Sequence, residues 1–587
     1  MYFPTILVEP TFATVYVLFV APLIAVPLVA FASVVYHHWY VFVPVLFDVA
    51  FAVKVCPYTA FPVIFTLVVA FISYYVTLPA FNLHSFGFYT YVVFVIAVFF
   101  LTGVIDLKEK VERVFRVGAK KKDKGLFYTF LGIFGVYILI IIVNLIYSPI
   151  FMSGKYASRI NILEDNSFEA DIKEVDFSQI PLLDKESSSK LGDRVMGQMS
   201  ELVSQFEVSS LYTQINYNND IVRVTPLEYA SGIKWLTNRK DGVKGYITVN
   251  SVSGKSELVK LQDGMKYMPS AMFNENLSRK LRFSYPTKIF GNASFEVDNE
   301  GKPYWIVPTL TYSSVELLEE VEGVVILDPV SGDSTYYDVK DVPTWVDQVY
   351  NPYLIISQFD DWGMYKNGFF NSIFGQKGVV QTTDGYNYMI QGDDVYLYTG
   401  VTSINSDESN IGFITTNLRT KETKFYAVPG AEEYSAMESA KGQVQQMNYS
   451  STFPLLINLN GRPTYLISLK DNAGLVKMYA FVDVEDYQKV VVSDSSLGVE
   501  EAARNYISNV ELNNKNDVNV EKTIVIKQIN TGIIDGVSYY YIVDKSNQKY
   551  KVSIKVNDKV LPFLKNGDSV KVKYLKEKEV IDIISVE

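Results

Sequence analysis

The feature that most constrains this 587-residue chain is where its apolar residues sit. Up to about Tyr147 the sequence is dominated by Val, Phe, Ala, Ile, Leu and Tyr, with few charges outside one basic loop. From Ser153 onward it reads as an ordinary polar, acidic protein. A helix needs about 20 apolar residues to cross a hydrocarbon core. Stretches 11–36, 59–78, 88–104 and 126–147 satisfy that length, and 41–55 is a shorter fifth carrying Asp48 and Lys54. The pattern predicts an α-helical transmembrane bundle of about five spans over 1–150, with the lipid bilayer as partner.

The segment DLKEKVERVFRVGAKKKDKG, in the loop 106–125, holds the cluster Lys120, Lys121, Lys122 and Lys124. Short basic loops stay in the cytoplasm, so the expectation is an integral membrane protein with the bulk of the chain extracytoplasmic. The side of the N-terminus depends on whether 41–55 spans. Asp48 is an expensive residue at mid-span, about 2.5–3.5 kcal/mol on insertion scales. It marks either an intramembrane polar site, for a transport or sensor role, or a position near an interface. Lys54 is no same-face partner, since six residues along a helix turn it about 120° away.

Length and composition narrow the rest. A chain this long exceeds one compact core, so several domains are expected. The net charge of −11 argues against nucleic acid, whose recognition relies on Lys and Arg. The single cysteine, Cys56, and all three histidines, His37, His38 and His84, precede the polar part. That leaves no disulfide framework and no Cys or His metal site beyond residue 150, and no His base for a Ser or Cys nucleophile.

Internal similarity organises the polar part. ASFEVDNEGKPYWIVPTLT (293–311) aligns with PLLINLNGRPTYLISLKD (454–471), each a strand, a glycine turn at Gly301 or Gly461, and a returning strand opened by Pro303 or Pro463. Alternating runs at 245–261, 323–339, 412–428 and 476–492 read as hairpins. Helix-like segments fall at 188–206, 271–282, 342–359, 431–446 and 497–507. The expected architecture is tandem α+β repeats, each a helix plus an antiparallel meander with one sheet face under its own helix. Their boundaries are 188–270, 271–341, 342–430 and 431–510, preceded by a linker at 151–187. After a second linker, 511–521, residues 522–587 read as five short strands of a small β-barrel, OB- or SH3-like.

The unit carrying GKPYWIV and GVVILDPVSGDSTYY resembles the PepSY-type repeat of bacterial envelope proteins. The wider arrangement, with GAEEYSAMESAKGQVQ and LKDNAGLVKMYAFV, is similar to a family of large bacterial and phage membrane proteins. The resemblance covers about 188–492. It implies a cell-envelope location and binding of proteins or peptides, or restraint of a partner protease or cell-wall hydrolase; it supplies no catalytic residues.

For chemistry, paired carboxylates remain, at Asp360-Asp361, Asp393-Asp394 and Asp407-Glu408. Adjacent acids on a strand face opposite ways, so these read as turns or caps. The expectation is therefore no catalytic residue, no metal and no cofactor. Trp305 and Trp345 read as core. Trp362, in the glycine-rich QFDDWGMYKNGFFN, reads as exposed, and with Tyr365, Phe369 and Phe370 forms a candidate partner-binding loop. The expected function is a non-catalytic membrane-anchored envelope scaffold, not an enzyme, that binds or organises extracytoplasmic proteins or peptides; a homo-oligomer is allowed. The alternatives are a tethered regulator of an envelope protease or wall hydrolase, a transport or sensor subunit, and an enzyme acting on wall glycans.

Overall fold

The computed structural model describes residues 61–106, 124–404, 409–513, 520–534, 537–574, 580–583 and 585–586. The expected spans 11–36 and 41–55, Asp48, most of the basic loop and Asp407-Glu408 lie outside the described residues.

The expected transmembrane bundle, and the integral-membrane location drawn from it, require correction. Among the described residues no single helix is long and apolar enough to cross a membrane. Val63–Thr77 and Phe86–Phe99 are shorter apolar helices, and Leu131–Ile146 reaches the length only together with Pro149–Ala157, bent 55° from it. Pro149 begins the second piece, where a proline without an N–H starts a helix rather than continues one. These helices dock on the polar part. Asn144 donates to Val315 O at 3.1 Å and accepts from Ser314 Oγ at 2.6 Å, and the Arg279 guanidinium lies 4.1 Å from the Tyr75 ring centre.

From residue 162 the chain is dominated by antiparallel sheet. Four sheets share one connectivity: two short strands pair with the same long strand, which then continues through a meander. In the first sheet, Phe206–Val208 and Thr213–Tyr217 both pair with Asp220–Tyr229, followed by Val243–Asn250 and Ser256–Met265. In the second, Ile289–Phe290 and Ser294–Val297 pair with Pro303–Thr311, followed by Glu320–Leu327 and Ser334–Asp338. The third repeats this over Val380–Thr382 to Thr423–Tyr426, and the fourth over Ser450–Ser451 to Val490–Asp494. Two-residue turns with positive φ at both centres, Asn218–Asn219 and Asn460–Gly461, close hairpins whose strand twist demands that geometry.

The expectation that each sheet rests under its own helix is also corrected. The long strand Asp220–Tyr229 is buried from Ile221 to Leu227 without alternation, as a strand covered on both faces must be. Sheets instead pack on neighbouring sheets, and the fourth also sets Leu466 and Phe481 against a helix, Val499–Asn513. Tyr246 of the first joins Phe295 and Trp305 of the second in one core. Ile306 and Val324 of the second meet Val395 and Leu397 of the third, and Phe413 and Tyr426 of the third meet Tyr465 and Ile467 of the fourth. The fourth returns to the first through 180–197: Ser468 Oγ donates to Leu182 O at 3.0 Å, and Leu183 N donates to Ser251 O at 3.1 Å. The four sheets thus follow one another in a closed circuit.

Two local readings change for local reasons. Residues 342–351 are not helical; the helix runs Pro352–Tyr365, with Pro352 in its first turn and the Asn351 side chain accepting from Tyr353 N at 2.9 Å. That helix contains Trp362 and Gly363. A Cβ on Gly363 would stand 2.2 Å from Val380 O, so the glycine serves a close helix–strand approach, not a loop. Gly363→Ala is expected to lower stability by about 1–3 kcal/mol through overpacking, read as a lower urea midpoint; an unchanged midpoint would refute the close-approach argument.

The C-terminal unit forms one curled sheet of six strands, not five. Its 15-residue strand Val520–Ile534 pairs with Ser569–Tyr574 through its first half and Val537–Asp544 through its second. The sheet closes around Ile524, Ile542, Tyr550 and Val572.

Candidate functional site

The short strand Ser294–Val297 alternates. Phe295 and Val297 enter the core between the first two sheets, which turns Ser294 and Glu296 the other way. That side is also covered, and Glu296 is 0% exposed. Its carboxyl accepts Asp347 N at 2.8 Å, Gln348 N at 3.1 Å and Ser294 Oγ at 2.9 Å. Asp347, also buried, accepts Asn216 N at 2.8 Å, while the Asn216 amide donates to Asp393 Oδ1 at 3.1 Å. The first, second and third sheets and the connector 342–351 therefore converge on one pair of acids.

Burial disfavours charge on both groups. Desolvation pushes Glu296 up to about 7, against the opposing pull of the three hydrogen bonds it accepts. Asp347 is held well above the usual carboxylate range, first by burial, then by the neighbouring Glu296, with Asn216 N working the other way.

Beside this pair lies a cleft of about 180 Å³. Ser294 and Gln348 form part of its wall, and the Gln348 amide donates to Gln214 O at 3.3 Å. Gln214 comes from the strand Thr213–Tyr217 and Tyr212 from the residue before it, the helix Pro352–Tyr365 contributes Tyr353, and Tyr388 comes from the strand Asn387–Gln391 with Tyr386 from the residue before it. Tyr386 stands edge-on to Tyr353 (5.8 Å, 88°) and to Tyr388 (5.7 Å, 73°), giving a row of three rings. Gln214 is 1% exposed, yet neither its side-chain nitrogen nor its oxygen has a hydrogen-bond partner. A second cleft of about 320 Å³ shares Asn292, Pro308, Asn351 and Tyr353 with the first.

The residues singled out from sequence lie elsewhere. Trp362 is not exposed in a loop: it is half-buried on a helix, 5.2 Å from the Phe359 ring, with the Lys366 ammonium 3.9 Å from its own ring centre. Tyr365 and Phe369 stack at 6.4 Å, and Phe370 is exposed beside Phe374. Nine residues along the helix put Trp362 about 13 Å from Tyr353. Trp345, expected on a helix, lies on the irregular connector against Tyr304 at 5.1 Å. Asp360 accepts Thr382 N at 2.7 Å, and Asp361 pairs with Arg159 at 2.5 Å. Burial raises Asp361 to about 6, with Arg159 opposing. Asp394 holds Arg419 through two 2.8 Å bonds. Among the described residues, no group of three or more His, Cys, Asp or Glu is arranged to hold a metal ion.

Sequence reasoning missed Glu296 and Asp347 because they are 51 positions apart and belong to no motif. The one available signal was an acid within the otherwise apolar strand SFEV.

No protein-family model matches the chain, and no curated protein does. Solved structures similar to it include a GH32 β-fructofuranosidase of Bombyx mori in complex with sucrose, at 9% identity, covering 60% of this chain and 61% of that one, TM-score 0.18. A Trypanosoma rangeli sialidase in complex with 2,3-difluorosialic acid is similar at 7% identity, covering 65% and 53%, TM-score 0.13. The chain thus spans less than two thirds of each, and TM-scores this low do not establish a shared fold. The expectations of a non-catalytic envelope scaffold and of a chain that is not an enzyme are corrected on the site itself: the fold buries Glu296 beside Asp347 and raises both carboxyls, a pair that a search for His and Cys passes over.

Proposed function

We propose that this chain is a carbohydrate-active protein whose tyrosine-lined cleft binds a saccharide. A sugar ring offers C–H faces that pack on aromatic rings, and hydroxyls that both donate to and accept from amides and phenols. The row Tyr353, Tyr386 and Tyr388 supplies the rings. The carrying observation is Gln214: a buried amide on the cleft wall with an unmet donor and an unmet acceptor, which one pair of sugar hydroxyls would satisfy together.

Calorimetric titration of the intact chain with oligosaccharides tests this. Binding is expected, weakened about tenfold by Gln214→Ala, the scale of a hydrogen bond or two, and by more in Tyr386→Ala, which also loses ring contact. Affinity equal in both variants and the parent would remove the cleft from consideration.

Glycoside hydrolysis is the second reading, favoured by Glu296. A carboxyl that keeps its proton near neutrality, beside a second acid, has what a general acid requires. Ser294 and Gln348 separate the pair from the cleft, so hydrolysis requires that wall to part. Sugar release lost in Glu296→Gln with saccharide binding kept supports this reading; binding without release in the parent chain excludes it for that sugar.

A further inference from the structure

Arg223 lies opposite Gln214 on the neighbouring strand, so the two side chains stand on one face of the first sheet. It is 5% exposed, its Nε is enclosed without a partner, and among the described residues it makes no ion pair. A buried cation in that condition is costly, and folded proteins almost always pair it. The groups with which it interacts electrostatically are Tyr388, Asp184 and Tyr386, two of them phenols that line the cleft. The one acid, Asp184, is committed elsewhere: it accepts Lys470 Nζ at 2.6 Å and Ser187 N at 2.9 Å. Lys185, also on the cleft, adds a second positive charge at its margin.

We propose that Arg223 and Gln214 together receive an anionic group of the saccharide, so that the cleft takes an acidic sugar bearing a carboxylate, of the uronic acid class. The proposal rests on the saccharide reading of the same cleft. A planar guanidinium accepts a carboxylate through two parallel N–H···O bonds, and burial makes that pairing strong. The Gln214 amide nitrogen, free on the same face, supplies a further donor to the same oxygens or to the adjacent hydroxyl. Arg223 stands behind the cleft wall, and an anion entering between Gln214 and Tyr388 would neutralise a charge that Asp184, held by Lys470, compensates only in part. A neutral sugar would satisfy Gln214 and leave Arg223 as it is.

The test is calorimetric titration of the intact chain with two oligosaccharides of equal length, one of uronic acid units and one of the corresponding neutral hexose. The acidic one is expected to bind at least tenfold more tightly, with the preference shrinking at high salt. Arg223→Met should abolish the preference while keeping neutral-sugar binding, and Arg223→Lys should keep a reduced preference, since an ammonium cannot make the paired contact. Methionine removes a buried charge that makes no ion pair, so Arg223→Met is also expected to melt no lower than the parent. If it fails to fold, the parent titrations and Arg223→Lys still decide. Equal affinity for the two sugars, or a preference unchanged in Arg223→Met, overturns the proposal and leaves the saccharide reading standing. Binding of neither sugar overturns both.

Discussion

Glu296→Ala is expected to destabilise the protein by about 3–5 kcal/mol, the scale of emptying a buried site and leaving its hydrogen-bond donors unmet. The variant strands three donors at once, Asp347 N, Gln348 N and Ser294 Oγ, and leaves a void where three sheets meet. Glu296→Gln keeps the volume and one acceptor oxygen, so its cost is smaller, and it isolates the titration. The sign follows from the direction of the shift. Glu296 has a folded pKa of about 7 against an ordinary 4.5, so between these values the unfolded chain releases a proton that the folded chain keeps. Its contribution to stability is complete below about 4.5 and is lost as pH rises through 7. The loss is on the order of 3 kcal/mol. Asp347, raised in the same direction, adds to that loss. Urea unfolding from pH 4.5 to 8 should show the parent losing stability relative to Glu296→Gln over that window. A constant difference between the two would mean the pair is ionised in the folded state.

Lys470→Met should cost about 2–3 kcal/mol and should open the circuit of sheets. Lys470 is buried on the fourth sheet, and its ammonium holds Asp184 at 2.6 Å and Glu186 at 2.7 Å, the acids that begin the helix leading back to the first sheet. Methionine keeps the stem, leaves Asp184 without its counter-ion and leaves Glu186 with Lys190 alone, at 3.1 Å. A fully buried pair broken this way costs about 3–5 kcal/mol; the partial exposure of Asp184 and the larger exposure of Glu186 reduce it. The pH dependence has the opposite sign to that of Glu296. Burial pushes Asp184 up, but Lys470 and Ser187 outweigh it and hold it below the ordinary range. Its stabilisation is therefore present above about pH 4 and lost as pH falls through the lowered value. Hydrogen exchange offers a local check: amides of 182–190 should exchange faster in Lys470→Met, while those of the C-terminal sheet stay unchanged. Uniform acceleration across the chain would show a global effect rather than a latch.

Hairpins were legible where the information is local. Strands at 294–297 and 303–311, joined by a turn with Gly301 at φ +80°, pair on such information, because a strand's period and a turn's φ depend on nearby residues alone. Residues 342–359 misled because Val342, Val346 and Val349 imitate a helical stripe. They enter a core from the irregular segment 342–351, which contains Pro343 and is followed by Pro352. The QFDDWGMYKNGFFN segment misled in reverse: Gly363 looks like a loop glycine, and only the approach of Val380 shows why a helix contains it. The apolar N-terminal stretches were read by count of residues, and a count does not register that the apolar helices Val63–Thr77 and Phe86–Phe99 fall short of a span.

By itself the sequence determined the strands, their turns, the recurrence of one meander and the lack of histidine and cysteine beyond residue 150. Tertiary structure alone decided what covers each sheet, and hence which acids lose water. Glu296 and Asp347 are ordinary carboxylic residues in the chain, and Arg223 is an ordinary arginine. Desolvation is set by whatever packs around a group, however distant in sequence, and that is why a proton-holding pair and an unpaired cation emerge only where separate sheets meet.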